Sequence, residues 1–182
     1  MTNYLTQRKE EATEEKNIHV TLALAVMQRR LVSSIFAIKN TLFKRWNALQ
    51  GIVDEVNKNP NIWKQRQKLE LVDVDNMDQY DDLEDDEKDA LDNILSDPKK
   101  FKLFTTSKSL IEIANEAQEV KRLYDIANQL YNQNQEEKKY IQLKELLKSQ
   151  GVIDGQKLVI FTEHKDTLLY LQERLTNNGY KV

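Results

Sequence analysis

Apolar residues recur at steps of three and four positions along most of this 182-residue chain. That spacing places them on one face of an α-helix and predicts several long helices. The best-patterned helix begins near Ser33 or Ser34, either of which can cap it, and ends near Pro60, which opposes helix. Its apolar face comprises Leu31, Ile35, Ile38, Leu42, Trp46, Leu49, Ile52 or Val53, and Val56.

Further helices are predicted on either side of this one. Residues 19–27 form an apolar run that could be a buried strand, but its Ala, Leu and Met content favours a helix. Charged residues 5–16 and the short stretch 84–95 also favour helix. A long helix capped by Thr106 or Ser107 and a helix over 136–149, stopped by Gly151, follow. The face of the long helix comprises Leu110, Ile113, Ala114, Ala117, Val120, Tyr124, Ala127 and Tyr131.

The pattern changes after Gly151. Leu158-Val-Ile-Phe161 is a short, β-favouring apolar run that predicts a buried parallel strand. A helix with Leu168, Leu171 and Leu175 on one face follows and ends at Asn178-Gly179, and residues 180–182 predict the start of a second strand. The predicted fold is therefore mainly α: a bundle of long helices followed by the first β-α(-β) unit of an α/β domain. Because one such unit cannot make a stable sheet, we expect the chain to be part of a longer protein.

The composition is consistent with long helices, and the charged residues are segregated along the chain. The chain has 4 Gly, 2 Pro and no Cys, which disfavours sandwiches, barrels and disulfide frameworks. From Lys16 to Val53 there are six bases and no acid, whereas Asp73–Asp97 carries twelve acids and one base. The acidic stretch is either a solvated loop, which is the simpler interpretation, or an element that competes with nucleic acid for the bases. No apolar run is long enough to span a membrane and the lack of Cys fits a reducing compartment, so we expect a cytoplasmic protein with no membrane partner.

A family resemblance rests on two parts of the chain. Lys157-Leu-Val-Ile-Phe-Thr-Glu-His-Lys-Asp-Thr167, with the helix after it and Asn178-Gly-Tyr-Lys-Val182, resembles motif IV at the start of the second RecA-like lobe of superfamily-two helicases. It is most similar to Swi/Snf-like and RapA-like translocases. Residues 20–34 and 42–45 resemble the helical region between the two lobes of bacterial Swi/Snf-related helicases, and the placement of 137–147 just before the predicted strand also suits that family.

The resemblance implies an ATP-dependent DNA helicase or translocase, of which this chain is a fragment. Residues 1–150 would be the helical inter-lobe region, or protrusion, with an acidic loop at about 73–97, and 151–182 the truncated start of the second RecA-like lobe. Duplex DNA would be the partner of the whole protein, with ATP and magnesium as its cofactors. The chain has no Gly-x-x-x-x-Gly-Lys-Ser/Thr loop, so we expect no cofactor and no ATP hydrolysis in this fragment alone. The alternative is a helical protein–protein interaction module without motor function.

Candidate nucleic-acid contacts lie where the predicted strand meets the next helix. Thr162, His164, Lys165 and Thr167 surround a helix N-terminus, whose free N–H groups favour phosphate. Thr162 could instead simply cap the helix, with Glu163 and Asp166 interacting with its dipole.

The bases of the N-terminal half are further candidates: Arg29, Arg30, Lys39, Lys44 and Arg45. They either bind phosphate in a salt-sensitive manner or form a solvated basic face. Trp46 and Trp63 could stack on bases, but the place of Trp46 in the apolar stripe favours core packing. No residue set indicates catalysis or a metal site. The predicted strand at 158–161 lacks its sheet neighbours, so self-association through it is a further expectation.

Overall fold

The computed structural model describes residues 1–14, 18–61, 105–107, 109–133, 136–151 and 156–182. Within these ranges the chain is mainly helical. The helices are α1 (Thr2–Glu14), α2 (Ile18–Ser33), α3 (Ile35–Lys58), α4 (Leu110–Asn132), α5 (Lys138–Ser149) and α6 (Lys165–Asn177). The acidic stretch 73–97, the helix predicted over 84–95 and Trp63 lie outside the described residues.

The break between α2 and α3 confirms the predicted cap. Ser34 adopts extended backbone angles, and its hydroxyl accepts a hydrogen bond from the Ala37 amide at 3.0 Å. The predicted cap of α4 at Thr106 or Ser107 is wrong, because Ser109 caps this helix and accepts from the Glu112 amide at 3.2 Å. The hydroxyl of Ser107 donates to a buried carboxylate instead.

The main hydrophobic core lies between α3 and α4, with α1 and α2 packed on it. Leu42 and Leu49 of α3 and Val120 of α4 are almost completely buried in one cluster. The apolar face predicted for α3 is confirmed at Ile38, Leu42, Leu49, Ile52 and Val56. The step of three and four residues therefore gives the correct rotation of this helix.

A second, smaller cluster joins α5 and α6. Tyr140 and Leu147 of α5 pack against Tyr170 and Leu175 of α6, with Phe36 from the start of α3 at the edge. The predicted face of α6 is partly wrong, because Leu168 is exposed. Thr167 and Tyr170 take the buried positions together with Leu175.

The predicted β-α-β unit is wrong. None of the described residues forms a β-strand, so neither 158–161 nor 180–182 is part of a sheet, and no RecA-like unit is present in them. A strand needs hydrogen-bonding neighbours, and none of the described segments offers one. The amide of Tyr180 is used to end α6: it donates to the Leu175 carbonyl at 3.1 Å, beside Gly179 at φ 84°.

The helices differ from membrane-spanning helices in length or hydropathy. Among the described residues, no helix is long and apolar enough to cross a bilayer.

Candidate nucleic-acid interface

The N-terminus of α6 contacts the break between α2 and α3, although these segments lie more than 120 residues apart in sequence. Arg30 Nη1 donates to Asp166 Oδ2 at 2.7 Å, and Asn40 Nδ2 donates to Asp166 Oδ1 at 3.2 Å. Arg29 Nη1 donates to Glu163 Oε1 at 3.1 Å in a more exposed pair. We call this contact, formed by residues 29–40 and 163–167, the α2–α3–α6 joint.

Three hydroxyl groups form the interior of the joint. The Ser33 and Thr167 hydroxyl oxygens lie 2.7 Å apart, and those of Ser34 and Thr167 lie 3.3 Å apart. Ser34 and Thr167 are buried. Thr167, predicted to contact nucleic acid, therefore binds the helix break of its own chain.

The N-terminus of α5 also contacts the α2–α3–α6 joint. The Ile35 amide donates to Glu137 Oε1 at 2.9 Å, which gives the first turn of α3 a carboxylate partner. Burial raises the pKa of Glu137 despite this hydrogen bond and the charges of Arg174 and Lys139. Glu137 occupies the N-cap position of α5, so that helix begins at Lys138 and not at 136.

The other candidates near α6 occupy different environments. Thr162 does not cap the helix; His164 takes the N-cap position, is buried and makes no capping hydrogen bond with its side chain. Thr162 is half-buried and lines a cavity beside Leu158 and Ile160. Lys165, the first residue of α6, is exposed.

The two lysines of α3 are more accessible than its arginine. Lys39 Nζ lies 4.1 Å from the ring centre of Tyr131 and 4.9 Å from that of Phe36. Burial lowers the pKa of Lys39, with the charges of Glu173 and Asp166 opposing the shift. Lys44 is half-buried. These two side chains and the exposed Lys165 are therefore easier for a ligand to reach than the buried arginines.

Arg45 makes its polar contacts within its own chain. It is buried, and its Nη2 donates to Glu116 Oε1 at 2.6 Å while its Nε donates to the Tyr4 hydroxyl at 3.2 Å. The Tyr4 hydroxyl donates to the same carboxylate oxygen at 2.9 Å. Arg45 therefore lies on the α1–α4 side of α3, buried among partners of its own chain, and its predicted contact with nucleic acid stays a prediction.

The other oxygen of Glu116 ties a further segment to this buried cluster. Oε2 accepts hydrogen bonds from the hydroxyls of Thr105 at 2.9 Å and Ser107 at 3.0 Å, and Arg8 Nη2 lies 3.6 Å away. Burial opposes ionisation of Glu116, but the charges of Arg45 and Arg8 and the hydrogen bonds outweigh it and lower the pKa of Glu116 to about 2. The carboxylate is therefore ionised at neutral pH.

Sequence reasoning missed this buried cluster, although a signal existed. Glu116 stands three residues after Ile113 and four before Val120, in phase with the apolar face of α4. Arg45 stands in the same relation to Leu42 and Leu49 on α3. Opposite charges on two facing apolar stripes predict a buried ion pair.

Trp46 packs in the protein, as its position in the apolar stripe predicted. Its ring stacks on Tyr124 of α4 with 6.1 Å between centres and lies 6.1 Å from the ring of Phe43. Lys121 Nζ lies 5.0 Å from the Trp46 ring centre. Trp46 is half-buried against the main core.

The joint can hold α6 in place and present Lys165 and Lys39 near it, but its arginines neutralise carboxylates of their own chain. In the part of the chain that the structure describes, no three His, Asp or Glu side chains converge as metal ligands would. Comparisons with protein-family models, with curated proteins and with solved structures found no match to this chain.

Proposed function

We propose that this chain is part of an ATP-dependent DNA helicase or translocase, to which it contributes a helical protrusion and part of the nucleic-acid path. One observation supports this most directly. The two segments that resemble the same helicase family, 20–34 and 157–167, contact each other in the α2–α3–α6 joint through Arg30, Asp166 and Thr167. The structure therefore brings the two resembling segments together in one contact.

The cofactors of such a motor do not fit this chain. Its glycines, at positions 51, 151, 155 and 179, cannot form the loop that surrounds a nucleotide's phosphates. ATP and magnesium would therefore be bound by other parts of the protein, and no step of hydrolysis is assigned to these residues. A cytoplasmic location belongs to the same proposal.

The phosphate contacts follow from the accessibility of the candidate bases. Arg30 and Arg45 are buried, and both donate to carboxylates of the chain, as Arg29 does. Lys39, Lys44 and Lys165 are more accessible than Arg30 and Arg45, and on that ground we assign them to DNA. Point-charge contacts of this kind carry no sequence preference and release counterions from the duplex. Binding should therefore be weak, independent of sequence and strongly dependent on salt.

Fluorescence anisotropy of a labelled duplex at several salt concentrations tests the proposal. Replacing Lys39, Lys44 and Lys165 together with Ala should weaken binding and reduce the slope of log affinity against log salt by about 0.9 for each phosphate that is no longer neutralised. The matched control replaces the exposed Lys9, Lys58 and Lys148 with Ala, which changes the net charge equally. Equal effects of the two triple variants would contradict a defined DNA path.

One observation favours the alternative, a helical protein–protein interaction module. Three of the five bases predicted to bind phosphate in the N-terminal half are held by carboxylates of the chain itself. If the wild-type chain shows no salt-dependent affinity for duplex DNA, the interaction module becomes the better description.

A further inference from the structure

The segment that precedes α6 exposes large apolar side chains. Phe161 is 92% exposed and Val159 is 73% exposed. Two large apolar side chains left in water at alternate positions forgo the free energy that their burial would release. Something that covers these two side chains would therefore stabilise the segment.

Side chains alternate between two faces along this segment. Leu158, Ile160 and Thr162 line a cavity of about 350 Å³ against α5 and α6, whereas Val159 and Phe161 do not. A period of two is the geometry of extended backbone. The even-numbered side chains thus anchor the segment, and the odd-numbered ones face away from the cavity.

The backbone of residues 157–162 has unused hydrogen-bonding capacity. Within the described ranges, no hydrogen bond joins its N–H or C=O groups to another part of the chain. An extended segment with unpaired backbone groups is a template for the addition of another strand. Both the backbone and the odd-numbered side chains are therefore suited to an extended partner.

We propose that this partner is the same segment of a second copy, paired antiparallel over Lys157–Glu163 with Ile160 on the two-fold axis. Lys157 then lies opposite Glu163 of the other copy, at both ends of the pair. Val159 lies opposite Phe161, so the two most exposed apolar side chains of the segment cover each other twice. Aromatic and β-branched residues form favourable cross-strand pairs, as do opposite charges.

The charges at the two ends of the segment favour antiparallel over parallel pairing, and they favour a second copy of the chain as the partner. A parallel in-register pair would place Lys157 on Lys157 and Glu163 on Glu163, which is unfavourable. In the antiparallel pair both Lys157–Glu163 contacts are attractive. The assembly stops at a dimer, because a two-fold interface uses the same surface on each copy. Arg29 of the same copy already donates to Glu163, so Lys157 of the other copy would join an existing ion pair. The segment is therefore complementary to itself.

Sedimentation equilibrium over a range of protein concentrations tests the pairing. The wild-type chain should move from its 21.4 kDa monomer mass toward twice that mass as concentration rises. Lys157→Glu alone should weaken the dimer at least about tenfold, because like charges then meet at both ends, and Glu163→Lys alone should do the same. An equimolar mixture of the two variants restores attractive pairs at both ends, so it should associate about as well as the wild type.

The controls separate this interface from other contacts. Lys148→Glu on α5 makes the same charge change away from the segment and should leave the dimer unchanged. Replacing Val159 and Phe161 together with Ser should abolish dimerisation while circular dichroism keeps its helical signal, because both side chains are exposed. A wild-type chain that stays monomeric, or a mixture that associates no better than its components, would overturn the proposal.

Discussion

At the scale of single residues, Glu116 joins four separate parts of the described structure. Its carboxylate accepts hydrogen bonds from α1, α3 and the 105–107 segment while standing on α4. Its side chain is completely buried. A buried ion pair is costly to assemble, but removing one partner leaves the other charge buried without compensation.

Replacing Glu116 with Gln should lower the free energy of unfolding by about 3–5 kcal/mol, because Arg45 would remain charged and buried. Urea denaturation measures the change. Glu119→Gln, almost one turn further on α4, is the control: it breaks an exposed pair with Arg122 and should cost less than about 1 kcal/mol. Equal effects of the two variants would show that the Glu116 carboxylate is not needed as a charge.

The pH dependence of stability should carry the signature of the same carboxylate. Its pKa is about 2 in the folded protein against 4.5 as the ordinary value, so the folded state favours the ionised form. Its contribution is complete above about pH 4.5 and declines as the pH falls toward 2. The difference in unfolding free energy between wild type and Glu116→Gln should therefore shrink as the pH is lowered through this window. A constant difference would contradict the assignment.

The burial of a residue can be predicted from the sequence where the spacing of apolar residues along a single helix decides it. Leu42 and Leu49 are buried because their spacing matches the helix, and this needs no knowledge of the partner helix. Arg45 is expected at the surface because its residue type is usually exposed. Its burial depends on Glu116, 71 positions away, and single-segment patterns do not contain that pairing.

At the scale of elements, α6 is attached through a small number of polar contacts and a small hydrophobic cluster. Its N-terminus is fixed by Asp166 and Thr167 in the α2–α3–α6 joint, and among the described residues its apolar side packs in the small cluster with Tyr140 and Leu147. Arg30, the partner of Asp166, is buried. Removal of the Asp166 carboxylate would therefore take a strong partner from a buried cation.

Asp166→Ala should increase amide hydrogen exchange in α6 while leaving α4 close to the wild type. Local opening of α6 exposes little apolar surface, so its exchange responds to one ion pair. Hydrogen-exchange mass spectrometry measures both helices in one experiment. Asp125→Ala, which breaks the exposed Lys121 pair on α4, is the control and should change neither helix measurably. Unchanged exchange in α6 would mean that Asp166 does not hold it.

The elements also show why the strand prediction is wrong. Leu158-Val-Ile-Phe161 has the composition of a buried strand, and composition is the basis of that prediction. Whether such a run becomes a strand depends on hydrogen-bonding neighbours, which no property of the four residues supplies. Helices α3 and α4 are predictable because a helix satisfies its own backbone.

At the scale of the whole molecule, the described residues form two hydrophobic clusters of unequal size, which imply two levels of stability. The larger one joins α1, α2, α3 and α4, and the smaller one joins α5, α6 and Phe36. Leu42 belongs to the first and Leu175 to the second, and both are buried. Apolar burial sets the cost of opening each region, so the smaller cluster should open first.

Replacing Leu42 or Leu175 with Ala distinguishes the stability of the larger cluster from that of the smaller one. Leu42→Ala should lower the global free energy of unfolding by about 2–5 kcal/mol and speed exchange in the slowest amides of α3 and α4. Leu175→Ala should speed exchange in α5 and α6 by roughly thirtyfold for a local destabilisation of about 2 kcal/mol, with the slowest amides of α3 little changed. The exposed Leu146→Ala is the control for both. If Leu175→Ala lowers global stability as much as Leu42→Ala, the described helices unfold as one cooperative unit.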